Sequence, residues 1–219
     1  MKASSQSGNI FFYILMAIVL IGALTVALRD TGGMDGNIDK EKAKIIAMEM
    51  VRYSDEVAKG VQYLLDSGIS ENDIRFARPA SVTTYGDITV NPQNQVFSQQ
   101  GARVAYKIPP NGASTNTAQR YAFTAVRAFP GVGSDKADLV ISLANMDPKV
   151  CEAINILSNM PATVSTVCES NNGDLFAGTY ASSPVIIPAS AFPSGIGQRV
   201  CIACTDRSEA VFFSTVLSR

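Results

Sequence analysis

Between Ala3 and Leu28 the chain carries no charged residue. The heart of this stretch, Ile10 to Leu28, reads IFFYILMAIVLIGALTVAL, 19 residues whose only polar side chains are Tyr13 and Thr25. A helix that buries one face in a soluble domain keeps a polar face opposite, and this run has none. A helix needs about 20 apolar residues to cross the hydrocarbon core of a bilayer, where its internally bonded backbone is tolerated. A transmembrane helix is therefore expected over 9–29. Two other readings use the same residues. A secretory signal peptide cut after Ala27 normally has an apolar region of about 7–15 residues, shorter than this one. An uncleaved signal anchor fits the length.

The flanks suggest an orientation. Lys2 precedes the run, and Arg29 follows it but is succeeded by Asp30, Asp35 and Asp39. The excess of basic residues on the cytoplasmic side then favours a short cytoplasmic tail and an exported remainder. Over the whole chain, 18 basic residues face 19 acidic ones, with no basic stripe to attract nucleic acid.

The segment Gly8-Asn9-Ile10-Phe11-Phe12-Tyr13-Ile14-Leu15-Met16-Ala17-Ile18-Val19-Leu20-Ile21-Gly22-Ala23-Leu24 resembles the N-terminus of type IV pilins and of the pseudopilins of type II secretion. In that family a short basic leader ends in Gly and is removed on the cytoplasmic side. The resemblance implies a leader over 1–8, processed by a prepilin peptidase between Gly8 and Asn9. Phe12, Tyr13 and Gly22 then fall in the helix through which members assemble, with Gly22 at the fourteenth mature position, where many pilins have Gly. Tyr13 stands where the family has a Glu that helps align an incoming subunit, and Asn9 stands where Phe or Met is usual. What the resemblance implies is a structural subunit: a minor pilin or pseudopilin-like protein of the bacterial inner membrane, single-pass. Its C-terminal domain would be periplasmic or extracellular, and its partners membrane lipid and other pilin-like subunits. The alternative is a signal-anchored exported binding domain that never polymerises.

Asp30 to Asp39 contains three glycines and reads as a hinge over 30–38. Its acidic spacing does not make a calcium loop, because no Gly follows Asp39 and Ile46 stands where the closing Glu should be. Asp39 reads instead as the N-cap of an amphipathic helix over 39–67. Ala43, Ile46, Ala47, Met50, Ser54, Val57, Val61 and Leu64 recur at spacings of three and four, and Gly68 follows as a C-cap. The exported part, 68–219, shows strand patterns at Arg103–Ile108, Tyr121–Phe129 and Asp138–Leu143. A helix is capped by Asp147 and Pro148, with Val150, Ile154 and Leu157 as its buried face. A terminal hairpin runs from Gln198 to Cys204 and from Glu209 to Leu217. The expected fold is α+β: a transmembrane helix, then a second helix packed on a C-terminal antiparallel sheet, which is also the pilin-like layout.

Cys151, Cys168, Cys201 and Cys204 allow three pairings. An exported domain lies in an oxidising compartment, so disulfides are expected rather than a metal site, for which histidine is also absent. In a regular strand, residues three apart point to opposite faces, and Cys201 and Cys204 would each reach Cys151 or Cys168. If the strand turns at Cys204, a local Cys201–Cys204 bridge with Cys151–Cys168 is the other solution. At least one long-range bond is expected.

No enzyme chemistry is read. Without histidine there is no Ser-His or Cys-His pair. Ser134-Asp135-Lys136 reads as a hairpin loop rather than a Ser–Lys dyad. Gly131-Val132-Gly133 lacks the third Gly and the helix of a nucleotide fingerprint. No cofactor and no small-molecule substrate is expected.

Overall fold

The computed structural model describes residues 8–30, 34–78, 85–168, 175–189 and 198–219. The chain divides into two compact units, Met1–Glu41 and Lys42–Arg219. The first holds helix α1, Gly8–Asp30, 23 residues long. At 1.5 Å per residue this is about 34 Å of helix. Its described side chains, 11–23, are all exposed.

The expectation of a membrane span over 9–29 gains no support here. Among the described residues no helix is long and apolar enough to cross a membrane.

Helix α2 covers Met34–Asp66, so 34–38 are helical rather than part of a hinge, and Asp39 is inside the helix rather than its cap. The reason is energetic. Gly36 alone costs a helix about 1 kcal/mol relative to Ala, which is too little to end one of 33 residues. The predicted stripe from Ala43 to Leu64 is buried at every one of its eight positions, and Tyr53 joins it. The helix ends as predicted. Gly68 adopts φ +86°, its N–H bonds the Leu65 carbonyl, and the Ile69 N–H bonds the Leu64 carbonyl.

The stripe packs on a six-stranded sheet of order β3-β5-β6-β2-β1-β4. The strands are β1 Ala122–Ala128, β2 Asp138–Leu143, β3 Val164–Thr166, β4 Val185–Ile186, β5 Arg199–Cys204 and β6 Ala210–Leu217. The four central strands pair antiparallel, but β3 joins β5 and β4 joins β1 in parallel. The sheet is therefore mixed, not antiparallel. Its edges come from short strands on long connections rather than from hairpins.

Alternation along the strands sorts side chains between two cores. Phe123, Ala125, Leu139, Ile141, Phe212 and Val216 meet α2. Val140, Val200, Ile202, Val211 and Phe213 form a second cluster with Phe129, Met160 and Ile187. Burial on both faces explains the nearly unbroken apolar texture of β2 and β6. The main core is rich in rings: Phe76 stacks on Phe123 with centroids 4.2 Å apart, and Tyr53 meets Tyr121 at 5.1 Å.

Arg103–Ile108 is not a strand. Arg103 has φ +59°, and the segment lies along α2 instead of in a ladder. Val104 presses on Gly60, the Lys107 N–H donates to the Tyr53 hydroxyl at 3.2 Å, and Lys107 Nζ reaches Glu56 Oε2 at 2.7 Å. The alternation seen in the sequence is the alternation of one side against a helix. Helix α3, Pro148–Leu157, starts as predicted: Asp147 Oδ1 accepts from the N–H groups of Lys149 and Val150. Val150 and Ile154 are buried, but Leu157, in the last turn, is exposed.

Candidate functional site

Gly8 opens α1 and Asn9 follows within it. The rings of Phe12 and Tyr13 stand edge to face, 6.2 Å apart, and both are exposed. A Cβ added at Gly22 would meet nothing within 4 Å. These residues share one helix with apolar side chains on all sides. Such a surface is unfavourable in water, at roughly 25 cal/mol per Å².

The four cysteines form two bridges, Cys151–Cys201 and Cys168–Cys204, each with Cα atoms 5.2 Å apart. Both end on β5. Cys201 faces the α2 side with Cys151, and Cys204 faces the opposite cluster with Cys168. Of the two arrangements open from sequence geometry, the regular strand is the one realised, and both bonds are long-range. Cys168, Cys204 and Asp206 lie close together, but both sulfurs are bridged and Asp206 Oδ1 accepts the Cys168 N–H at 2.8 Å. That bond holds the Asp206 carboxyl below the usual range.

Sequence reasoning missed Asn155. It is buried on α3, one turn beyond Cys151. Its Oδ1 accepts the Cys201 N–H at 2.7 Å, and its Nδ2 donates to the Cys201 carbonyl at 2.8 Å. Strand β3 pairs β5 only from Ile202 onward, so Asn155 supplies the bonds that a longer neighbour would have made. The signal was its spacing of four from Cys151. Also unanticipated are the pairs Asp55–Arg199 and Glu56–Lys107, which tie α2 to β5 and to the segment at Lys107. The hydrogen bond from Lys107 lowers the Glu56 pKa.

Ser134 lies in the loop between β1 and β2, as predicted. Its hydroxyl donates to the Arg219 carbonyl at 2.8 Å, and its N–H bonds the same oxygen. Arg219 N–H in turn bonds the buried Asp138 at 3.0 Å. Burial raises the Asp138 pKa, opposed by the amides of Arg219 and Phe129.

The fold and the site define a class: an α+β domain stapled by two disulfides on one strand, in a chain whose N-terminal unit holds a helix uncharged from Gly8 to Leu28. Beyond that class, comparison with known proteins adds nothing. No family model matches the sequence, and no curated protein and no solved structure matches it.

Proposed function

We propose that this chain is a membrane-anchored structural subunit, a minor pilin or pseudopilin-like protein. Residues 9–29 would hold it in the bacterial inner membrane, and the disulfide-bearing remainder would be exported. The observation that carries the reading is α1: a helix uncharged from Gly8 to Leu28, whose described side chains are all exposed, and which requires lipid or neighbouring subunits to cover it. Two disulfides support the exported side, because such bonds persist in oxidising compartments. The amphipathic α2 on a sheet agrees with the layout that the resemblance implies.

Tyr13 favours a second reading, an anchored binding domain that stays out of filaments, because it replaces the family's Glu. N-terminal mass spectrometry of the protein from native membranes tests the first reading. A terminus at Asn9 supports processing and assembly. An intact Met1 in cells with an active prepilin peptidase refutes it, and recovery in sheared filaments excludes the second reading.

A further inference from the structure

We infer that the cleft beside α3 docks a basic side chain, Lys or Arg, presented by a partner polypeptide. The cleft has a volume of about 560 Å³ and lies between α3, β3 and the turn joining β5 to β6. This falls within the roughly 300–1,000 Å³ of ordinary ligand sites. Its floor is apolar, made by Met146, Val164, Ala210 and the bridged Cys151 and Cys201.

The charges are of one sign. Glu152, from α3, and Glu209, from the turn, line the cleft, and among the described residues no Lys or Arg does. Arg207 pairs with Glu209 at 2.9 Å from outside the lining. Glu152 carries no ion pair among the described residues and is exposed at the mouth. With Glu209 paired to Arg207, Glu152 is the lining carboxylate left to attract positive charge at the mouth of this concave site. An apolar floor under an acidic rim asks for an aliphatic stem ending in a cation, and Lys and Arg side chains have that form. The backbone of an extended partner chain then finds hydroxyl and amide groups along the rim at Thr115, Asn145 and Thr163. The inference concerns the second unit alone and does not depend on how residues 9–29 are held.

The test is titration of the full-length protein in detergent micelles with the peptide acetyl-Leu-Arg-Leu-amide, followed by calorimetry and by backbone amide NMR. The expected result is saturable binding, with the largest shifts at Ala203 and Ala210. Glu152→Gln should weaken binding about fivefold, the scale of one exposed ion pair. The exposed position of Glu152 makes that variant safe for folding, and unchanged unfolding confirms it. The norleucine analogue of the peptide should bind more weakly by at least the same factor. Equal binding of that analogue would make this a plain apolar groove and overturn the proposal. So would an absence of binding, shifts confined to other surfaces, or an unaltered affinity in the Glu152→Gln protein.

Discussion

Replacing Cys151 and Cys201 together with alanine should destabilise the protein by about 3 kcal/mol, and replacing Cys168 and Cys204 together should cost nearly the same. The bridged residues are 50 and 36 apart in sequence. Taken singly, loops of these lengths would contribute about 4 kcal/mol each by restricting the unfolded chain. The loops interlock, however. With either bridge intact, the other closes only the stretch from 151 to 168 and the three residues from 201 to 204, about 20 residues in all, worth about 3 kcal/mol. The shared path makes the two single losses equal despite the unequal separations. Removing both bridges should cost about 7 kcal/mol, slightly more than the two single losses combined. The assay is urea unfolding of the full-length protein in mild detergent, followed by far-ultraviolet circular dichroism because the chain has no tryptophan. The reasoning fails if either paired variant loses under about 1 kcal/mol, or if the two differ by more than about twofold.

Asn155→Leu should cost about 2–4 kcal/mol, because it leaves the buried Cys201 N–H and carbonyl without partners; thermal unfolding will measure it, and a loss under about 1 kcal/mol would show that water replaces the amide. Gly101→Ala should cost at least about 2 kcal/mol, because its Cβ would press on the backbone carbonyls of Gln95 and Pro92, which cannot swing aside. Asp138 has a raised folded-state pKa, so the folded chain takes up its proton first as pH falls. The melting temperature of the wild type should therefore rise relative to that of Asp138→Asn as pH falls from 7 toward about 4, and the opposite trend would contradict the burial argument.

Local chemistry was legible wherever a residue type leaves few alternatives. Asp147-Pro148 fixed the start of α3, Gly68 the end of α2, and Pro130-Gly131 separated two strands whose ends lie within a residue of the reading. The spacing of Cys201 and Cys204 on a strand implied opposite faces, which is how they are bridged. What failed depended on distant partners. Arg103–Ile108 alternates as a strand does, but its burial comes from Tyr53, Glu56 and Gly60 across α2. Edge strands β3 and β4, three and two residues long, have too little pattern to be seen, and their parallel pairing is set by the return path of the chain. Glu152 and Glu209 are 57 positions apart, and only the docking of α3 on β5 and β6 puts them on one cleft.

The convergence of both bridges on β5 has a mechanical side. Consider a pull applied along the chain from ahead of residue 151 to beyond 204. The shortest covalent route crosses from 151 to 201 and then runs three residues to 204, so about 50 residues cannot be paid out while the sulfurs stay joined. At about 3.4 Å per extended residue, this withholds about 170 Å of contour. Load that would otherwise shear the β5 ladder passes into bonds that thermal forces do not break. Everything between α3 and the final strand then yields as one short, stiff link, and extension is confined to the chain on either side.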